Sequence, residues 1–235
     1  MTMQVGMVGT DGILIASDTK WVASPPLAPN RTTGTRNVFG ASKIVIDRDK
    51  GIVAAYARNM EVSRVVATEV LTLEEKDWAY PISPIEAIGD RALKSCGARN
   101  DAHCLIAFAR PVPQLFLFCL GTRNGEPAAI CQNMQTTAIS GDNANSAIFW
   151  SDRYYQKMPI ERLAPLAAHL VLSAGKLNTA MISGLEIVLL DSNGIRHVSD
   201  KSIEELQLKS EQWDKSIGEM ILTEQQLTYA PDVIG

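Results

Sequence analysis

Apolar runs of strand length come in pairs closed by tight turns in this chain, and the pairs alternate with pairs of helical segments. That order constrains the fold more than any other feature. The first pair, "QVGMV" and "ILIAS", flanks "GTDG", whose Asp-Gly step supplies the positive φ that a hairpin turn requires. "SKIVIDRDKGIVAAYA" adds two strands around an Asp-Arg-Asp-Lys-Gly turn. The run 59–76 carries Val62, Val66 and Val70 at helical spacing. In "PIEAIGDRALKSC" Pro84 suits a first helical turn, and Ile85, Ile88, Ala92 and Leu93 recur every three or four residues.

Strands return between His103 and Cys131, where "HCLIAFAR" and "QLFLFCL" lead through "TRNGEPAAICQ" to a third. "QTTAIS" ends in Ser140-Gly141 ahead of helices expected over 144–157 and 159–176. "LEIVLLD" and "IRHVS" form a last hairpin around Asp191-Ser192-Asn193-Gly194, and a polar helix over about 201–218 follows. Blocks segregated in this way predict an α+β domain: two antiparallel sheets packed together, with helices on their outer faces. The 235 residues are read as one domain, with an extra C-terminal segment from about 200. "SPPLAPNRTTGTRN" is too rich in Pro, Gly, Ser and Thr for a ladder or a helix and reads as a long exposed loop.

A hydrophobic fraction of 46% with 20% charged residues excludes a disordered or collagen-like chain. Lys and Arg number 22 against 26 Asp and Glu, a net charge of -4, which argues against nucleic acid or anionic lipid as the main partner. Cys96, Cys104, Cys119 and Cys131 lie far apart, with no C-x-x-C pair and no His at ligand spacing, so they are read as buried thiols and no metal site is expected. No basic stretch leads into a long apolar segment, and no apolar run reaches membrane-spanning length. Neither export nor a membrane span is expected, and the cytoplasm follows by default.

The glycines of "GMVGTDG" do not make a phosphate cradle: their spacing is wrong, and a strand, not a helix, follows Gly12. Thr2 is the residue with chemistry. A leading Met before a small residue is commonly trimmed, which would leave a free α-amine on a hydroxy amino acid. Threonine's hydroxyl is a weak nucleophile, but that amine, titrating near 7.7–8.0, would serve as its own base. Such a site needs a cation by the hydroxyl, an acid to hold the cation and donors for the oxyanion. Asp18 ends the strand that pairs with that of Thr2, and Lys43 begins the next one. Taken singly, each has a plain structural reading: a frayed terminus, a turn Asp, a strand-edge Lys, and for Ser140-Gly141 a helix N-cap region. The three histidines, His103, His169 and His197, are read as structural.

Together these residues spell T-x-x-V-G-x-x-x-x-D-G-x-x-x-A-x-D from Thr2 to Asp18. That pattern resembles the start of mature proteasome β-subunits and their bacterial relatives, and the order of elements matches to about Ser199. The resemblance is greatest to the β-proteobacterial proteasome homologue group, with the Anbu group as a neighbour. It implies a four-layer αββα N-terminal nucleophile hydrolase in which Thr2 is the nucleophile, Asp18 and Lys43 complete the set, and Ser140 hydrogen-bonds the terminal amine. It places Asn178 and Ala180 where the family has an Asp and a Ser, with Ser183 in an alternative register. Tyr56 or Ala57 stands where the family has the oxyanion-hole Gly, and Trp21 and Ala54 fall at the first specificity pocket. No cofactor is implied. The expected particle is a homo-oligomeric ring that takes peptides or unfolded protein, and an ATP-dependent unfoldase partner is left open. Two other readings stand beside the peptidase: a proteasome-fold ring protein without turnover, and an amidase acting on small non-peptide amides.

Overall fold

A computed structural model of the chain describes residues 2–23, 36–38, 41–58, 60–96, 101–141, 144–179 and 182–222. In chain order the strands and helices are β1 Met3–Val8, β2 Gly12–Ser17, β3 Trp21–Ala23, β4 Arg36–Val38, β5 Ile44–Asp47, β6 Ile52–Arg58, α1 Met60–Val70 and α2 Ile82–Cys96. Next come β7 Ala102–Phe108, β8 Gln114–Arg123, β9 Glu126–Met134, β10 Thr137–Gly141, α3 Ala144–Tyr154 and α4 Ile160–Leu177, and finally β11 Glu186–Asp191, β12 Gly194–His197 and α5 Asp200–Leu222. Two five-stranded sheets result, in the orders β10-β1-β2-β11-β12 and β5-β6-β7-β8-β9. Every strand pair in them is antiparallel.

The strands carry near-continuous apolar runs because both faces are covered, and alternation sends successive residues to different layers. In β6, Val53 and Ala55 join Ile13, Ile15, Leu105 and Leu115 in the layer between the sheets. Ile52, Ala54 and Tyr56 turn outward into the cluster that contains Val62, Val66 and Ile85 of α1 and α2. On the other sheet Met3, Val5 and Met7 pack outward against α4 through Leu163, Ala167 and Leu170. The expected αββα sandwich is therefore present.

Several boundaries differ from expectation. The helix read over 59–76 ends at Val70, and a separate 3₁₀ turn covers Glu75–Asp77. The Thr72 hydroxyl donates to the Glu69 carbonyl at 2.7 Å and the Thr72 amide to the same oxygen at 2.9 Å, which closes the helix. α3 stops at Tyr154 instead of 157; the next residue, Tyr155, donates its hydroxyl to the Val8 carbonyl at 2.6 Å and ties the link to β1. β3 and β4 form a two-stranded ribbon in which Trp21 pairs with Val38; β3 precedes the expected loop and β4 takes in its last two residues, while 24–35 lie outside the described residues. α5 runs four residues beyond the expected 218 and is pinned by His169, whose Nδ1 lies 2.9 Å from Ser210 Oγ. Cys104 and Cys131 are buried as expected, but Cys96 and Cys119 are half-exposed. Burial pushes the Cys131 thiol up to about 12, so among these it should resist alkylation in the native protein. No helix among the described residues is long and apolar enough to cross a membrane.

Candidate active site

β1 lies in the middle of its sheet, paired with β10 on one side and β2 on the other, so the residue just before it is held from two directions. Because Met3 and Val5 face α4, alternation turns Thr2 and Gln4 towards the opposite sheet. Thr2 is 2% exposed. Asp18, which follows β2, clamps the next residue: Met3 N–H donates to Asp18 Oδ1 at 2.9 Å, and Asp18 N–H donates to the Met3 carbonyl at 3.1 Å.

Lys43 enters from the other sheet, at the start of β5. Its Nζ donates to Asp18 Oδ2 at 2.8 Å and to Thr2 Oγ1 at 3.0 Å. The Lys20 amide also donates to Asp18 Oδ2, at 3.3 Å. Lys43 and Asp18 are 1% and 0% exposed, so this is a buried ion pair with a hydroxyl on it. Burial pushes the Asp18 carboxyl above its ordinary value and the Lys43 ammonium below its own, in each case against the partner's charge. An ammonium loosened in this way donates strongly to Thr2 Oγ1 and favours its alkoxide.

Ser140 and Gly141 press on the same residue from β10, with Gln4 opposite Ser140 and Met3 opposite Gly141. Gly141 has φ of 115°, and a Cβ there would stand 1.7 Å from the Thr2 carbonyl oxygen. A side chain would collide with the backbone of Thr2 and adopt a strained conformation. Gly141→Ala is expected to cost about 2 kcal/mol of stability and to displace Thr2, which thermal denaturation together with turnover would register.

The remaining expected residues are dispersed. The Tyr56 amide donates to the Lys43 carbonyl at 3.1 Å, and its ring lies in the α1–α2 layer, so that amide is committed to holding Lys43. Ala54 is fully buried in the same layer, and Ala57 is fully buried and pairs with His103 on β7. Asn178 caps α4, its amide donating to Ala174 and Gly175 carbonyls at 3.1 and 3.2 Å. Ser183 accepts the Thr19 amide at 3.0 Å through its carbonyl. The side chain of Trp21 and all of Ala180 lie outside the described residues.

Three residues near the site were not singled out from the sequence. Lys20, 5% exposed, donates from Nζ to the Thr179 carbonyl at 2.9 Å. His103, read as structural, borders the site: its Nδ1 lies 3.2 Å from Ser140 Oγ. Arg58, and not Tyr56 or Ala57, takes the left-handed conformation after β6, with φ of 66°. Its Nη2 reaches the Gly141 carbonyl at 3.4 Å, and it pairs with Asp101. Only β6–β7 alternation hinted at His103, and nothing in the local sequence marks Arg58 as glycine-like. Among the described residues no group of three or more His, Cys, Asp or Glu is placed to hold a metal ion.

The chain superposes on Anbu (ancestral β-subunit) from Yersinia bercovieri with a TM-score of 0.73 at 10% identity, over 97% of this chain and 100% of that one. A chain from the helical assembly of the Anbu complex from Pseudomonas aeruginosa gives 0.71 at 13% identity, over 98% and 100%. The Gly-1 mutant of Anbu from Hyphomicrobium sp. strain MC1 gives 0.69 at 14%, over 97% and 100%. No protein-family model matches the sequence, and neither does any curated protein. The shared property is the fold.

Proposed function

We propose that this chain is a threonine-type peptidase of the N-terminal nucleophile class, active once Met1 has been removed. The observation that carries the proposal is the single ammonium of Lys43, held by Asp18 at 2.8 Å and donating to Thr2 Oγ1 at 3.0 Å inside the protein. A threonine of this kind needs only its own amine as base. The amine takes the Oγ1 proton as the oxygen attacks the scissile carbonyl. It then returns that proton to the leaving amine, leaving an ester-linked acyl-enzyme. Water, deprotonated by the same amine, cleaves the ester and restores the hydroxyl. Lys43 stabilises the alkoxide character of Oγ1 throughout, and Asp18 holds Lys43 in place.

The working form is a cytoplasmic homo-oligomeric ring that takes peptide or unfolded-protein substrates. It is supported by the shared fold and by the helical assembly from which the Pseudomonas aeruginosa neighbour comes. Intact mass of the purified protein establishes whether the amine is free, and a β-lactone or peptide boronate tests the hydroxyl. A retained Met1, or an unmodified Thr2 in the trimmed protein, would sink the proposal. A ring protein without turnover is the second reading. It is favoured by Arg58, a bulky residue whose Nη2 reaches the carbonyl of Gly141, the glycine that abuts Thr2.

Activity should have an alkaline limb. Lys43 must be protonated to donate to Oγ1, and burial lowers its pKa. Activity is therefore lost as pH rises through a value below the ordinary lysine figure of about 10.4. A limb at or above that figure in the turnover profile would separate Lys43 from the chemistry.

A further inference from the structure

His103 is the one histidine beside the candidate nucleophile's neighbours among the described residues, and the peptidase chemistry above does not use it. It sits on β7 with Ala57 of β6 opposite on one side and Cys119 of β8 on the other. Leu105 and Ala107, which share its face of β7, lie in the layer between the sheets. From there Nδ1 reaches Ser140 Oγ across to the other sheet, at 3.2 Å. Ser140 is 1% exposed and shares its face of β10 and β1 with Thr2 and Gln4.

On the N-terminal nucleophile reading the Ser140 hydroxyl faces the terminal amine; it has one proton and two lone pairs, so what it offers that amine depends on what its other neighbours accept. Gln4, directly opposite Ser140, is fully buried, and neither Oε1 nor Nε2 is hydrogen-bonded. Gln4 therefore does not fix the orientation of the Ser140 hydroxyl.

We propose that His103 is a positioning residue that sets, through Ser140, which way the hydroxyl proton points at the α-amine of Thr2. The inference rests on the N-terminal nucleophile reading. With His103 neutral, Nδ1 accepts the Ser140 proton. A Ser140 lone pair then accepts an amine N–H, and the amine's own lone pair is left facing Thr2 Oγ1. With His103 protonated, Nδ1–H donates to Ser140 Oγ. The displaced hydroxyl proton turns to the amine lone pair and occupies the base. One proton taken up by the imidazole therefore switches off a base two hydrogen bonds away, and no covalent bond changes.

Cys119 stands opposite His103 on β8, and Arg58, paired with Asp101, follows Ala57, which stands opposite it on β6. Burial raises the Cys119 thiol, so it stays neutral through the acid range.

The test is the pH dependence of the second-order rate at which a peptide β-lactone acylates Thr2, on protein whose free N-terminus is verified by mass. An ordinary imidazole titrates near 6.5 and an α-amine near 7.7–8.0. In the parent the plot of log rate against pH should steepen from one proton to two on the acid side. His103→Asn places an uncharged acceptor near the Nδ1 position. It should keep the rate at pH 8.5 within about threefold and lose the second proton. Relative to its own rate at pH 8.5, it should then be about tenfold faster than the parent one pH unit below the point where the parent's slope steepens. His103→Ala should be slower at pH 8.5.

Ser140→Ala, on a different strand and smaller than the native residue, should be slower at every pH and should also follow one proton. A histidine that only packs would scale the rate equally at all pH and leave the slope unchanged. Equal slopes in the parent and Ser140→Ala, or in the parent and His103→Asn, overturn the inference while leaving Thr2 as nucleophile. A trimmed parent that is not acylated at any pH overturns the nucleophile reading, and this inference with it.

Discussion

Thr2→Ala is expected to abolish β-lactone labelling and to lower peptide hydrolysis by about 10⁴-fold or more, while the fold survives. The substitution leaves a small residue behind Met1, so the initiator should still be trimmed and the α-amine still exposed. What disappears is the oxygen, and with it the acyl-enzyme. Thr2 is 2% exposed and donates none of the hydrogen bonds that hold β1 to Asp18, because those run through Met3. The parent and the variant should therefore unfold within a few degrees of one another. Peptide turnover by Thr2→Ala at the parent's rate would move the nucleophile to another residue.

Lys43→Met is the second large effect, and it combines chemistry with stability. It removes the donor from Thr2 Oγ1 and leaves Asp18 as a carboxylate that is 0% exposed, with only the Met3 and Lys20 amides to satisfy it. Breaking one side of a buried pair costs about 3–5 kcal/mol, which for a chain of this size lowers Tm by roughly 10 °C. The pH dependence has a definite sign. Burial already raises Asp18 above its ordinary value, and losing Lys43 raises it further. A carboxyl with a raised folded pKa takes up its proton in the folded state first, so the deficit is full above that pKa and shrinks as pH falls towards the unfolded value. Melting at pH 8 and pH 5 should show the gap between variant and parent narrowing at pH 5. Adding Asp18→Asn to Lys43→Met should recover most of the stability and none of the turnover. A double variant that remains as unstable as the single one would mean that the loss comes from packing of the lysine stem.

Much of the architecture was legible because it depends on short-range patterns. A run such as "IVAAYA" alternates between two buried faces, so a strand made of it requires cover on both sides, which α1 and α2 supply on one face and the opposite sheet on the other. Helix ends were less legible. The Thr72 hydroxyl competes for the Glu69 carbonyl, and the Tyr155 hydroxyl reaches across to Val8; neither follows from apolar spacing.

In the candidate site, Thr2, Asp18 and Lys43 were recognisable by type and order, and they do converge. Tyr56 and Arg58 illustrate the limit. They lie two residues apart on the same strand, yet the Tyr56 amide is committed to the Lys43 carbonyl and the glycine-like turn falls at Arg58. His103 looked like one more residue in an apolar strand until packing of the two sheets set it against Ser140.

From its sequence alone this chain was bound to form paired antiparallel strands covered by helices, with a hydroxyl at the start of the first strand, a carboxylate at the end of the second and an ammonium at the start of a later one. Those features follow from side-chain alternation and turn chemistry, which act over a few residues. Only the tertiary structure decided that the ammonium bridges the other two, that Arg58 flanks Gly141 and that His103 meets Ser140. Each of these contacts joins segments far apart in the chain, and their geometry depends on how the two sheets pack against each other.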